Sequence, residues 1–310
     1  SLTIMNKMQD MSKIPILFDA DIEYGLHQRF PKGTDLLPLM AIAATNNPNN
    51  AYDIGKIIAK ESRAVGIHWN FSPVVDVNNN PANPIINVRS FSEDPDMVID
   101  YGIQFMKGLQ DHGMLATAKH FPGHGDTETD SHSSLAMISS DSIRLWTLEI
   151  PPFQSMINNG VDAVMVGHMH APDYQPDSDI PASMDPFWVN DILRNRLNFN
   201  GAIVTDGMGM GGITKNYSDA FALVEAVNAG CDIIIQNYDI RGSINTIEKA
   251  VMDGRISESR INESALKMLK MKEKAGLHLK HNVLLENIQD NLGHKEHRAT
   301  AKKIASESIT

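Results

Sequence analysis

Six short runs of apolar and β-branched residues recur along the chain, and the segments between them carry apolar residues at helical spacing. The stretch 52–64, for example, places Ile54, Ile57 and Ile58 on one helical face. Strands that alternate with helices in this way are typical of βαβ units, whose strands form one parallel sheet. The sequence therefore predicts an α/β fold with strands within 15–20, 67–75, 115–119, 163–167, 202–205 and 232–236.

Polar side chains that could carry chemistry follow almost every predicted strand at its carboxyl end. They are Asp19, Asp21, Asp76, Lys119, His120, His168, His170 and Asp206. In a closed barrel the carboxyl ends of the strands meet at one mouth, whereas an open doubly wound sheet spreads them along a crevice. We therefore predict a TIM-like (β/α)8 barrel. Since the pattern shows six strands, either weak strands escape it or the barrel is incomplete, for instance at its N-terminal end.

The pattern changes after Gly276. Residues 257–275 predict one more amphipathic helix, 277–293 has the character of a connector, and 298–308 could begin another helix. We therefore predict a barrel domain over residues 1–277. Residues 278–310 are predicted to be a linker and the start of a helix that could lead to a further domain.

Charge and cysteine content restrict the function further. The 310 residues carry a net charge of −11, which argues against non-specific binding to nucleic acid or anionic membranes. The single cysteine, Cys231, excludes an internal disulfide. No run reaches the roughly 18–20 apolar residues of a membrane helix, so we expect no transmembrane segment, and the compartment, cytoplasmic or periplasmic, stays open.

The segment 119–132 concentrates three His, two Asp, one Glu and one Lys in fourteen residues. Its glycines and Pro122 predict a loop. A solvated surface loop is the plain alternative, but such loops seldom gather so many imidazoles after a barrel strand. We interpret it as a catalytic loop in which Asp130 orients His132, since imidazole can both give and take a proton at neutral pH.

Asp206, at the end of the fifth run, is the candidate nucleophile, although a strand-end Asp can also cap a turn. Gly207, Gly209 and Gly212 after it fit a GxGxxG pattern, but a carboxylate directly before the loop disfavours a dinucleotide phosphate there. We interpret the glycines as a turn that keeps the backbone close to a ligand. Metal catalysis through the histidines is a further alternative, which lacks a Cys pair or an HExxH motif.

These residues resemble glycoside hydrolase family 3, and in particular its β-N-acetylglucosaminidase branch. The loop fits that branch's pattern K-H-[FI]-P-G-H-G-x(4)-D-x-H at every fixed position. Blocks similar to others of the family follow in chain order at 21–30, 71–77, 89–95, 163–168, 181–183, 203–206 and 260–264. The sequence departs from the family at Tyr24, where the branch has the first glycine of a pair, and a bulky ring there could narrow the entrance or contact an aglycone.

The resemblance implies a retaining hydrolase that removes terminal β-linked N-acetylglucosamine, with Asp206 as nucleophile and a His132/Asp130 acid–base dyad. The residues implied to hold the sugar are Asp21, Arg29, Arg89, Lys119 and His120, and His168 is a further substrate-binding candidate. No cofactor or metal is required. The expected partner is a β-N-acetylglucosaminide or a muropeptide-like carbohydrate, as in peptidoglycan turnover. The alternatives are a β-glucosidase of the same family, a metal-dependent barrel hydrolase and a non-catalytic sugar-binding barrel. For the glycosidase, the acceptor, water or phosphate, also stays open.

Overall fold

The computed structural model of the chain describes residues 2–128, 135–138, 142–175, 178–236, 238–279, 282–283 and 288–309. Eight strands lie in this part of the chain, and two of them, β4 and β6, form a separate small sheet. The strands are β1 (Asp19–Ala20), β2 (Trp69–Asn70), β3 (Thr117–Phe121), β4 (Ala136–Met137), β5 (Ala163–Val166), β6 (Met169–His170), β7 (Ala202–Gly207) and β8 (Ile233–Ile235).

The other six strands run parallel in one order that follows the chain. β1 pairs with β2, while β3, β5, β7 and β8 pair in succession. Single bridges, Trp69 to Leu115 and Val74 to Lys119, join the β2 segment to the β3 segment. Regular pairing stops there after two residues, and Pro73, which follows β2, has no N–H to donate to a ladder. All six predicted strands are confirmed.

The sheet curls into a barrel, because side chains from the first to the last of these strands meet in one interior cluster. Its members are Leu17, Trp69, Phe71, Leu115, Ala163, Met165, Ala202 and Val204, with Ile233 and Ile235 packed against them. Met271, Ala275 and Leu277 complete the cluster from the segment after β8. The fold is therefore a TIM-like barrel that is incomplete, with helices instead of two further strands among the residues described after β8.

Helices cover the outside of the barrel. They are α1 (Leu2–Met11), α2 (Leu39–Ala43), α3 (Asn49–Ala64), α4 (Pro95–Gln110), α5 (Ser142–Arg144), α6 (Ile150–Asn158), α7 (Gly211–Thr214), α8 (Asp219–Ala229), α9 (Ile240–Met252), α10 (Glu258–Lys274), α11 (Ile288–Asn291) and α12 (Lys295–Glu307). Two π-helical segments, Leu145–Glu149 and Phe187–Arg196, precede α6 and β7.

Several helix starts are encoded locally. Asp94 caps α4 by accepting a hydrogen bond from the amide of Asp96, and Pro95 occupies the first helical position. Ser218 and Ser257 cap α8 and α10 in the same way. These caps place the helix boundaries within the amphipathic stretches of the sequence.

The C-terminal helix α12 lies on the barrel. Its Ala301 and Ile304 are buried in the main core, and the helix contacts α2 and α3. Glu61 of α3 accepts hydrogen bonds from the Gly293 amide (3.0 Å) and from Nδ1 of His297 (2.8 Å). The boundary at residue 277 stays a prediction, but part of the segment beyond it packs as an integral layer. None of the helices described here is long and apolar enough to span a membrane.

Candidate active site

A cavity of about 410 Å³ opens at the carboxyl ends of the barrel strands. It is lined by Asp21, Glu23, Tyr24, Gln28, Arg29, Ile85, Arg89, Lys119, His120, Met165 and Asp206. Six residues predicted from the sequence to act as nucleophile or to hold the sugar thus lie around one space: Asp21, Arg29, Arg89, Lys119, His120 and Asp206. They come from four separate parts of the chain, so the convergence follows from the barrel geometry.

The turn after β1 supplies the acidic side of the cavity. Lys119 Nζ donates to Asp21 Oδ1 at 2.8 Å and lies 2.8 Å from Glu23 Oε1. Arg29 Nε donates to the backbone carbonyl of Asp21 at 3.0 Å, and its guanidinium lies 4.0 Å from the Asp21 carboxylate. The turn therefore presents one half-exposed carboxylate, Asp21, held between two cations.

Glu23 is a residue of the cavity to which the sequence analysis assigned no role. Its carboxylate pairs with Arg89 in a bidentate arrangement, with Nε to Oε2 at 2.9 Å and Nη2 to Oε1 at 2.8 Å. The available signal was its place between Asp21 and the Gln28-Arg29 pair of the same motif. The partner of Glu23 could not be read from that motif, because Arg89 lies 66 residues further along the chain.

Asp76 holds the start of the histidine-rich segment 119–132, called the histidine loop below, in place. Its buried carboxylate lies 2.8 Å from Nδ1 of His120 and accepts the amide N–H of His124 at 2.7 Å. Burial alone would raise the pKa of Asp76, but His120 and then His124 hold it below its usual range. The other ring nitrogen of His120 thus faces the cavity side, 3.5 Å from Arg89 Nη2.

Asp206 is the carboxylate on the far side of the cavity, at the end of β7. Its Oδ1 accepts the amide N–H of Gly207 at 2.7 Å. Burial alone would raise the pKa of Asp206, but His120 and His168, the Gly207 hydrogen bond and then Lys119 hold it below its usual range. The group is therefore an ionised carboxylate at neutral pH, which is the state that a nucleophile requires.

His168 is fully buried and is not among the residues that line the cavity. Its Nδ1 lies 2.8 Å from the Ser183 hydroxyl and its Nε2 lies 3.0 Å from the Gly207 carbonyl. This histidine supports the backbone next to Asp206, and direct contact with a substrate stays a prediction.

Asp130 and His132, the predicted acid–base dyad, lie outside the described residues. The described parts of their loop are fixed on both sides. Asn83 Nδ2 donates to the carbonyls of His124 (2.7 Å) and Gly125 (3.1 Å), while beyond the gap Ala136 of β4 pairs with Met169 of β6. Both ends therefore lie beside the carboxyl ends of β3 and β5.

The metal-site alternative and the glycine-rich turn find no ligand-binding arrangement among the described residues. Within the described ranges, no group of three or more His, Cys, Asp or Glu is arranged to hold a metal ion. In the glycine-rich turn after Asp206, the ring of Tyr238 lies directly over Gly209, so that a side chain at residue 209 would collide with it. The glycine there serves close packing.

The parallel strands and the polar cavity at their carboxyl ends place this chain in the class of (β/α) barrels, whose sites lie at that face. Residues 2–271 match the model of the glycosyl hydrolase family 3 N terminal domain. The chain belongs to that family.

Three comparisons illustrate the relationship. A β-N-acetylglucosaminidase/β-glucosidase from Cellulomonas fimi is 33% identical over 312 residues, which cover 98% of this chain and 55% of that protein. A family 3 β-N-acetylglucosaminidase from Paenibacillus sp. FPU-7 superposes with a TM-score of 0.94 at 36% identity, over 100% of this chain and 60% of that one. A β-glucoside phosphorylase bound to 2FGlc gives a TM-score of 0.95 at 29% identity, over 99% and 57%. The chain thus spans a little over half the length of these relatives.

Proposed function

We propose that this chain is the catalytic barrel of a retaining glycoside hydrolase that removes terminal β-linked N-acetylglucosamine. The observation that carries the proposal is the position of the Asp206 carboxylate at the wall of a polar cavity that Asp21, Arg89, Lys119 and His120 also line. Sugars are recognised by such directional, charge-assisted hydrogen bonds. The N-acetylglucosamine preference is supported by the names of the relatives from Cellulomonas fimi and Paenibacillus.

In the proposed mechanism, the Asp206 carboxylate attacks the anomeric carbon and forms a covalent glycosyl-enzyme, while His132 donates a proton to the leaving oxygen. His132 then removes a proton from the acceptor that releases the sugar, and Asp130 orients and supports its ring. A histidine donor would leave Asp206 without a second fixed carboxylate beside it, so the nucleophile can stay ionised.

Release of p-nitrophenol from the aryl β-N-acetylglucosaminide, compared with the aryl β-glucoside, tests the substrate class. We expect turnover of the N-acetylglucosaminide by the full chain, and loss of at least about 99% of it in Asp206→Asn with an unchanged circular dichroism spectrum. Turnover confined to the β-glucoside would favour the β-glucosidase alternative. Retention of a tenth of the activity by Asp206→Asn would contradict the assignment of the nucleophile.

Two further arms separate the remaining alternatives. Because the proposed catalytic groups are all side chains, dialysis against EDTA should leave the rate unchanged, and loss of activity that zinc restores would support a metal-dependent hydrolase. Because the chain is similar to a β-glucoside phosphorylase, the products of a reaction in phosphate buffer should also be analysed to identify the acceptor. Free sugar indicates water as acceptor and sugar 1-phosphate indicates phosphate. Binding of the sugar without any turnover would support a non-catalytic barrel.

A further inference from the structure

Glu23 is the buried carboxylate on which Arg89 and Lys119, two of the three cations of the cavity, converge. It is 6% exposed and accepts from Arg89 Nε, Arg89 Nη2 and Lys119 Nζ at 2.8–2.9 Å. Lys119 is buried too, with 2% of its side chain exposed, so neither partner of this pair is well solvated. An unpaired charge at this position would be strongly unfavourable, which ties the three side chains to one arrangement.

The backbone around Glu23 is held from two sides. The side-chain oxygen of Gln28 accepts the amide N–H groups of Glu23 and Tyr24, both at 2.8 Å. The preceding residue, Ile22, exchanges two hydrogen bonds of 2.9 Å with the side-chain amide of Asn70 in β2. The backbone at Glu23 is therefore fixed by Gln28 of the following turn and by Asn70 of β2.

Asp21 and Glu23 differ in the freedom that they have to contact a ligand. The Asp21 side chain is 47% exposed, whereas the Glu23 carboxylate is buried against its cations. Burial alone would raise the pKa of Glu23, but Lys119 and Arg89 hold it well below its usual range. Burial alone would lower the pKa of Lys119, and Glu23, followed by Asp21, raises it above its usual value. Asp21 can thus turn toward a sugar hydroxyl while Glu23 remains as the counter-charge.

We propose that Glu23 is a positioning residue that fixes the Arg89 guanidinium and the Lys119 ammonium as preformed hydrogen-bond donors for the sugar. The inference rests on the proposed function, in which these cations contact the substrate. It also reaches the nucleophile indirectly, since Lys119 is one of the groups that keep Asp206 ionised. Preformed donors spare the enzyme the ordering of two long side chains when substrate binds.

The test compares Glu23→Gln, which keeps the shape and removes the charge, with Glu23→Asp, which keeps the charge. We expect kcat/KM of Glu23→Gln for the aryl N-acetylglucosaminide to fall about tenfold or more, mainly through KM. The matched control is Glu273→Gln on α10, an exposed carboxylate next to Lys274 near the amino end of β5, and its kinetics should equal those of the wild type.

The pH profile supplies a readout that a purely structural role would not move. The charged groups that line the cavity with Lys119 are Asp21, Glu23, Arg29, Arg89 and Asp206, and His120 lines it as well. Without Glu23, Asp206 and the half-exposed Asp21 remain to oppose the effects of burial and Arg89, so Lys119 should lose its proton at a lower pH. Because Lys119 binds the sugar whereas His132 transfers the proton, the rise of KM on the alkaline side should move to lower pH in Glu23→Gln and return toward the wild-type position in Glu23→Asp.

A titration that does not depend on turnover separates this inference from the proposed function. The Cε resonance of Lys119 in protein labelled with ¹³C-lysine, assigned with Lys119→Arg, should titrate at lower pH in Glu23→Gln than in the wild type. If Lys119 titrates at lower pH in Glu23→Gln but the wild type shows no turnover, the proposed function is overturned and the coupling of Glu23 to Lys119 is retained. An unchanged Lys119 titration, or equal losses in Glu23→Gln and Glu23→Asp with no shift in the alkaline rise of KM, would overturn the positioning role.

Discussion

Two buried glutamates of this barrel differ in protonation state because their neighbours differ: Glu23 is ionised and Glu149 is neutral at pH 7. Glu23 faces two cations and is ionised, as described above. Glu149 is 1% exposed; its Oε1 accepts from Asn79 Nδ2 at 3.0 Å, and its Oε2 lies against Gly123 of the histidine loop without a hydrogen-bond partner. Burial raises the pKa of Glu149 to about 8. The hydrogen bond from Asn79 acts against this shift, and the nearby carboxylates of Asp76 and Asp126 add to it. The same residue type thus serves as a counter-ion at one position and as a neutral packing group at another.

Glu149→Gln should change the pH dependence of stability. Glu149 is protonated in the folded protein up to about pH 8, whereas an exposed glutamate loses its proton near 4.5. Between these values unfolding releases a proton, so the contribution of Glu149 to stability falls as the pH rises. Gln has no proton to release. In urea unfolding at pH 5, 6, 7 and 8, the free energy of unfolding of Glu149→Gln should rise relative to that of the wild type by about 1 kcal/mol per pH unit. Parallel stability curves would show that Glu149 is ionised in the folded state.

His132→Ala should separate the two steps of the proposed mechanism. Activated aryl groups leave with little protonation, so formation of the glycosyl-enzyme should be partly spared for them, whereas poor leaving groups should suffer most. Release of the sugar still needs a base, so the covalent intermediate should accumulate and appear as a burst or as the mass of one added sugar. Azide, which needs no base, should restore turnover.

The control for that experiment is Asp130→Asn, which should give a weaker form of the same pattern because the residue only orients the ring. Equal slowing of activated and unactivated substrates by His132→Ala, without intermediate and without rescue, would make His132 a binding or structural residue. The acid–base group would then have to be sought among Glu128, His124 or a group outside this chain.

At the scale of elements, the most extensive contact between helices in the described part of the chain is that of α3 with α4. Gly55 of α3 lies against the Phe105 carbonyl of α4, and Gly108 of α4 lies against the Tyr52 carbonyl of α3. A Cβ atom at either glycine would overlap backbone atoms of the other helix. The two helices can therefore approach at these positions only because both residues lack a side chain.

Gly108→Ala should destabilise the protein, although Gly→Ala within a helix ordinarily stabilises by about 0.5–1 kcal/mol. The methyl group would force α3 and α4 apart, and overpacking of this kind costs about 1–3 kcal/mol. Thermal or urea unfolding measures the effect, with exposed Lys107→Ala as the control on the same helix. A stabilised Gly108→Ala would show that the two helices are not in close contact there.

At the scale of the whole molecule, α12 closes over α2 and α3 and joins the chain after residue 277 to the barrel core. Ile304 is 1% exposed within that core. The buried Glu61 of α3 also binds both Gly293, two residues before α12, and His297 within it. We therefore expect the barrel and α12 to unfold as one cooperative unit.

Ile304→Ala tests this cooperativity. Loss of buried methyl groups from a packed core costs about 2–4 kcal/mol, and the whole barrel transition should move by that amount without splitting. Ile309→Ala is the matched control, since Ile309 is 82% exposed and should leave the urea midpoint unchanged. An unmoved barrel transition in Ile304→Ala would show instead that residues 278–310 form a separate unit, in line with the boundary predicted from sequence.

The sequence by itself determined the parts of this protein that local chemistry encodes. Periodicity located all six barrel strands, and the position of polar residues after each strand predicted that Asp21, Lys119, His120 and Asp206 would share one mouth. This succeeded because the barrel places every strand end at the same face, so that a local observation has a global meaning. The loop pattern 119–132 was sufficient to indicate the family, which the match to residues 2–271 confirmed.

Only the tertiary structure decided which of these groups touch and what charge each carries. The contacts of Glu23 with Arg89, and of Glu149 with Gly123, join residues that are distant in sequence and depend on strand register and helix placement. The burial of His168 behind Gly207 and the return of α12 onto α3 have no periodic or local signal either. Charge state follows from burial and from the nearest opposite charges, and both are properties of the packed molecule that neighbours in sequence do not fix.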